Sequence, residues 1–159
     1  MATDIVIDTC ILVQANNPRD RYFEASVDLL ESVVGQESLL LCMDPGYSME
    51  ARNKSHIFQE YRENLSPVVW TTALFAALFS SRRVKDVPRK VPNDVRLKVN
   101  KLIKKEKPRD RTFLKVAYNS TDRILVTHDG EDFPDSKRPK IKSQLAVDVL
   151  DAAEVALLS

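Results

Sequence analysis

Ile5-Val6-Ile7-Asp8 is a run of β-branched apolar residues that stops on a carboxylate, and Ile124-Leu125-Val126-Thr127, with Asp129 just beyond it, repeats the arrangement far down the chain. Short continuous apolar runs of this kind suit strands buried on both faces, as in parallel sheets. In such a sheet the C-terminal strand ends share one edge, and ligands bind in the crevice outside it. Acids delivered to that edge by separate strands and helices would meet in space. Asp110, which opens a helix-like stretch leading into the second run, would join them. A cluster of carboxylates is suited to holding a hard divalent cation through oxygen.

The rest of the chain alternates between strand-like and helix-like stretches. Residues 4–7, 39–43, 123–127 and 145–149 read as strands. Residues 21–34, 55–64, 70–79 and 152–158 have apolar positions at helical spacing, and further helices start at Asn93 and Pro108. Ser66 and Pro67 are expected to end the helix over 55–64. The polar stretches 82–91 and 134–142 read as loops. This alternation predicts a single α/β domain with a parallel sheet, in keeping with 159 residues.

Only three glycines occur, Gly35, Gly46 and Gly130. That leaves no G-x-G-x-x-G for a dinucleotide, no phosphate-binding loop ahead of Lys-Ser or Lys-Thr, and no G-x-S-x-G elbow. Cys10 stands where an aspartyl-phosphate phosphatase would want a second Asp, and the acid and lysine pattern of a response-regulator receiver is not clear. The apolar run 72–79 is too short to span a bilayer. Two cysteines, Cys10 and Cys42, lie in strand-like apolar segments and read as buried thiols; with no signal-peptide pattern, a cytoplasmic protein with no membrane partner is expected.

The net charge of +1 conceals an asymmetry. Residues 82–111 hold 13 Lys and Arg against four acids, a net of +9, and the remainder is −8. A basic stretch on an acidic body suits a polyanionic partner, although a solvated mixed-charge helix would look the same. Carboxylates that hold cations beside basic residues are the ingredients of metal-dependent phosphodiester hydrolysis, which needs no protein nucleophile.

The residues also resemble a known family. Ile5-Val6-Ile7-Asp8-Thr9-Cys10-Ile11-Leu12 is similar to the opening strand of PIN domains. Asp110-Arg-Thr-Phe-Leu-Lys-Val-Ala117 followed by Ile124-Leu-Val-Thr-His-Asp129-Gly-Glu-Asp132-Phe133 resembles their closing signature. Ile57-Phe-Gln-Glu60-Tyr61 is similar to a Glu-Tyr helix of some subfamilies. The resemblance implies a three-layer sandwich with a central parallel sheet flanked by helices. It implies a ribonuclease that uses Mg²⁺ or Mn²⁺ and acts on single-stranded RNA. By position, Asp8, Glu60, Asp110 and Asp129 would be catalytic metal ligands, with Asp132 a further ligand or an orienting group. Thr9 and Thr127 would bond carboxylates or water. Single-stranded DNA is an alternative substrate. An inhibitory protein, as in a toxin–antitoxin pair, and a second copy of the chain are candidate partners. A catalytically inactive RNA- or protein-binding scaffold is the alternative function.

The chain departs from the family pattern at three points. Cys10 replaces a polar residue, which predicts a lost hydrogen bond. Two residues rather than one separate Asp129 from Asp132. The second acid could be Glu50 instead of Glu60. Ordinary roles stay open too: Asp8 as a strand-end cap, Asp110 as a first-turn helix acid, Asp129 as a turn residue, Asp132 as a loop acid and Glu60 as a surface residue. Arg109, Arg111, Lys105, Lys107 and His128 are the candidates for nucleic-acid contact.

Overall fold

The strands form one five-stranded sheet in which every pairing is parallel, in the order β3-β2-β1-β4-β5. The structure is a computed structural model and describes residues 2–50, 52–65 and 69–156. β1 (Asp4–Ile7) lies at the centre, paired with β2 (Leu40–Met43) on one side and β4 (Ile124–Val126) on the other. All four residues of β1 are buried, as expected of a strand covered on both faces. The edges are β3 (Val84–Asp86) and β5 (Asp148–Leu150).

Eight helices are described: α1 (Thr9–Gln14), α2 (Phe23–Gly35), α3 (His56–Asn64), α4 (Val69–Ser80), α5 (Asn93–Leu102), α6 (Pro108–Asn119), α7 (Arg138–Leu145) and α8 (Ala152–Ala156). The chain winds outward from β1 through β2 to β3, then crosses back to β4 and β5 on the far side of β1. With right-handed crossovers, that reversal puts the helices on both faces of the sheet. The expected α/β sandwich with a flanked parallel sheet is therefore observed. The reversal also makes a topological switch point between β1 and β4, the position where open α/β sheets bind ligands. None of the described helices is long and apolar enough to cross a membrane.

Four elements differ from the sequence expectations. The expected loop over 82–91 contains β3, which pairs Leu41 with Val84 and Met43 with Asp86. It is a three-residue, half-exposed edge strand, and edges tolerate charge, so it carries no apolar signal. The expected loop over 134–142 contains most of α7. Pro139 sits in that helix's first turn, where a missing N–H costs nothing, and only Ile141 and Leu145 are buried. The helix runs through Leu145 and ends at Ala146 in the left-handed region (φ 55°), which shifts the fourth expected strand to Asp148–Leu150. Cys10 and its neighbours, read as strand-like, form α1, because a short apolar run does not by itself tell a strand from a buried helix. Cys10 and Cys42 are free thiols; Cys42 is buried and Cys10 half-buried. The expected helix end at Ser66 and Pro67 lies outside the described residues, as do residues 157–158.

A residue absent from the sequence reading anchors α3. Asp44 follows β2 directly and is fully buried. Its carboxylate accepts from the Ser55 hydroxyl (2.6 Å), from the His56 and Ile57 N–H groups (2.7 and 2.9 Å) and from Arg89 (2.8 Å). Burial alone would raise its pKa, but these donors outweigh it and hold the carboxyl below its ordinary value. Asp44→Ala would strand two helix N–H donors and a guanidinium. It should lower the unfolding free energy by about 3 kcal/mol in urea titrations. Glu37→Ala, at an exposed loop position, should change it by less than about 0.5 kcal/mol.

Candidate metal centre

Asp8 is the residue at which β1 ends and α1 begins. Its N–H bonds Val126 O (2.9 Å), fixing the end of β1 to the end of β4. Its carboxylate accepts from the Thr127 hydroxyl at 2.7 Å. Thr127 is fully buried and in turn accepts from the Asp129 N–H (3.0 Å), so one threonine joins the strand-end acids. Asp129 opens a turn, its Oδ1 accepting from the Glu131 N–H at 2.9 Å and, at a longer 3.3 Å, from Asp132. The turn role and membership of the cluster therefore coexist in this residue.

Asp110 comes from the first turn of α6, which starts with Pro108 at a position suited to proline. α6 lies along β1, β2 and β4, so its N-terminal turn reaches the switch point. There Asp8, Asp110 and Asp129 each offer an oxygen within 4.8 Å of the others. Asp132 is fully buried, and neither of its oxygens is reached by an N–H or O–H donor among the described residues.

No Lys, Arg or His among the described residues forms an ion pair with Asp8, Asp110, Asp129 or Asp132. The charge is left unbalanced, and the pKa values respond. Burial pushes Asp8 up to about 6, against the Thr127 hydrogen bond and with help from the Asp129 charge. Asp110 is raised further, first by burial, then by the Asp132 carboxyl beside it and the charges of Asp8 and Asp129. Two buried carboxyls, Asp8 and Asp132, and two half-buried ones, Asp110 and Asp129, without basic partners among the described residues fit a hard divalent cation, which would satisfy Asp132 and relieve the repulsion.

The other expected site residues divide. Glu60 on α3 lines the same cavity of about 760 Å³, together with Lys107 and Arg109. Its carboxylate, however, is taken by Arg109, which also pairs with Glu63. Glu50 is exposed, and its N–H is tied to Ser48. α3 reaches the sheet through Tyr61, whose buried hydroxyl donates to Ile7 O, next to Asp8. Thr9 Oγ1 is buried without a hydrogen-bond partner among the described residues, so it does not bond a carboxylate as expected.

Three expectations need correction. Arg111 does not face the cavity; its guanidinium bonds Ile103 O (2.7 Å) and Asn100 O (3.1 Å) and splices α5 to α6. His128 is locked in place: Nδ1 meets Gln14 Oε1 at 2.7 Å, Nε2 accepts from the Ala152 N–H at 3.1 Å, and the ring stacks on Tyr22. His128 lines the acid cavity, but with Nε2 accepting and Nδ1 on Gln14 both ring nitrogens are already engaged, and burial lowers its pKa, which disfavours the charged form a phosphate contact would use. Cys10 keeps polar contact: its sulfur accepts from the His128 N–H (3.4 Å) and lies 3.6 Å from Thr127 Oγ1. Lys105 is exposed in the turn before α6. A separate apolar groove of about 850 Å³ between α2 and α4 has Glu31 as its one carboxylate and none of this chemistry.

The raised pKa values set a pH dependence. In the unfolded chain Asp8 ionises near 3.8; in the fold it holds its proton to about pH 6. Over that interval the folded state binds more protons, so stability falls as pH rises through it. In metal-free buffer the melting temperature should drop by on the order of 5 °C between pH 4.5 and 7.5. Asp8→Asn and Asp110→Asn should each flatten the drop, and Mn²⁺ at pH 7.5 should reverse it. A melting temperature that climbs over this range and ignores Mn²⁺ would contradict the charge balance described.

No family model matches this sequence, and no curated protein matches it. Among solved structures the chain is similar to the crystal structure of VapBC2 from Rickettsia felis bound to a DNA fragment from their promoter. The alignment covers 93% of this chain and 98% of that one, at 12% identity and a TM-score of 0.46, a likeness too distant to carry any residue's role across.

Proposed function

We infer that the protein is a metal-dependent endoribonuclease that hydrolyses phosphodiester bonds of single-stranded RNA. The observation that carries this reading is the convergence of Asp8, Asp110 and Asp129 at the switch point without a basic partner. The buried, donor-free Asp132 supports it.

Asp8, Asp110 and Asp129 would hold the cation, Mg²⁺ or Mn²⁺, with Asp132 a further ligand or an orienting group beside Asp110. A divalent cation bound there supplies a water nucleophile at neutral pH and neutralises charge on the scissile phosphate. Thr127 keeps Asp8 aimed by donating to one oxygen, which leaves the other for a ligand. Glu60 would complete the acidic set only on letting go of Arg109. An incoming phosphate competes for that guanidinium, so substrate entry and release of Glu60 would be coupled. Lys107, on the same cavity wall, would balance the phosphate charge.

Labelled single-stranded RNA incubated with the protein should be cut internally in Mn²⁺ or Mg²⁺ and left whole in EDTA. Asp8→Asn and Asp110→Asn should lower the rate on the order of 100-fold or more, while calorimetry shows weaker Mn²⁺ binding. Full activity in either variant would remove the acids from the chemistry. Absence of both cleavage and carboxylate-dependent Mn²⁺ binding would leave a non-catalytic scaffold. Equal cleavage of single-stranded DNA would widen the substrate class. Control by an inhibitory protein belongs to the same reading: growth arrest on expression should vanish with Asp8→Asn.

A further inference from the structure

The basic segment noted in the sequence has a destination that the acid cluster does not explain. On the flank of α6 away from the acids is a second cavity, of about 980 Å³, within the size range of ligand pockets. Its wall carries His56, Arg89, Lys90, Arg96, Arg109 and Lys115, and none of its lining residues is acidic. Arg89 and Arg109 are paired with carboxylates that lie outside that lining, Asp44 and the Glu60–Glu63 pair. Lys90, Arg96 and Lys115 make no ion pair among the described residues.

Surface lysines without partners are ordinary, but Lys115 is half-buried. Its ammonium is destabilised first by burial and then by Arg111 and Arg96, so like charges crowd here with nothing to offset them. An anion is the missing partner. The two cavities share a rim, since Pro108 and Arg109 line both. A ligand leaving the acid pocket over the first turn of α6 passes directly into the basic one.

We propose that the basic cavity is a second phosphate-binding subsite, which holds the backbone of a single-stranded nucleic acid beside the residue being cut. The proposal rests on the nuclease reading for its direction and adds the track along which the substrate lies. The shared rim favours nucleic acid over an acidic peptide. A peptide carries its charges at irregular spacing, whereas a phosphodiester chain carries one at every residue, so a continuous strand could keep one phosphate on the basic wall while another reached a metal held by the acids.

The test is binding in EDTA, where no cleavage occurs. A fluorescent 12-nucleotide RNA is titrated with wild type and with the combined Lys90→Gln, Arg96→Gln, Lys115→Gln variant, by anisotropy over a salt series. Each phosphate contact adds about 0.7 to the slope of log K against log salt for single strands, so the slope should shrink by about 2. Affinity should fall at least about tenfold at low salt. Lys90→Glu alone, at an exposed loop position, should weaken binding in the same direction without risk to the fold. Lys98→Gln, Lys101→Gln, Lys104→Gln together, all exposed, remove equal charge elsewhere in the basic segment and should weaken binding far less.

Wild-type affinity and slope in the cavity variant, or an equal loss in the control, would overturn the subsite. Displacement of the RNA by polyglutamate of equal charge would also overturn it, and would assign the cavity to an acidic peptide. The nuclease reading is judged separately. A protein that never cleaves but loses RNA with the cavity variant keeps the subsite and loses the reaction. One that cleaves through its acids but binds unchanged keeps the reaction and loses the subsite.

Discussion

Unbalanced negative charge at the junction of β1 and β4 is the constraint that organises this protein. Buried carboxylates elsewhere in the fold are neutralised. Asp4, at the opposite end of β1, accepts from Lys85 and from the Thr121 and Asp122 N–H groups, and Asp44 is surrounded by donors from α3 and Arg89. The same chain that satisfies those acids leaves Asp8, Asp110, Asp129 and Asp132 without a cation. A fold does not keep such a cluster for stability, since each buried charge without a partner is costly. The contrast within one molecule separates acids that hold the fold from the acids that the proposed metal site would use.

Much of this was legible in the sequence, for a local reason. A fully buried strand must be apolar, so a carboxylate placed directly after one is conspicuous, and parallel strands send their C-terminal ends to one edge. The bounds of β1 and nearly those of β2 and α3 follow from apolar runs and helical spacing, and the start of α6 follows from Pro108; Ser55, read as the first residue of α3, is its cap. Asp44 carries the same signal as Asp8, an acid directly after a buried strand, and could have been found by it. What was not legible is tertiary. β3 is a polar edge whose strand character comes from its pairing with β2. The destinations of Arg111 and His128 depend on carbonyls and side chains far away in sequence. Arg109 flanks Asp110 on the chain, yet its partners Glu60 and Glu63 come from α3, which no spacing rule reveals.

Arg109 is the pivot between the two halves of the site. It stands on the rim shared by the acid pocket and the basic cavity, and Glu60 and Glu63 hold it there. α3, which carries both glutamates, is fastened to the sheet through Asp44 at its start and through Tyr61 to Ile7 O. The guanidinium can therefore change partners while the scaffold around it stays still.

The connection from β3 to β4, residues 87–123, returns the chain across the sheet and carries Asp110, Arg109 and most of the basic cavity wall. The sheet's register is set by other residues, those of β1, β2 and β4. One continuous stretch of polypeptide thus carries both Asp110 of the proposed metal site and most of the wall of the proposed subsite, while the framework lies elsewhere. Descendants of this protein could drift toward new ligands by rewriting that stretch alone, provided Asp110 kept its place at the head of its helix.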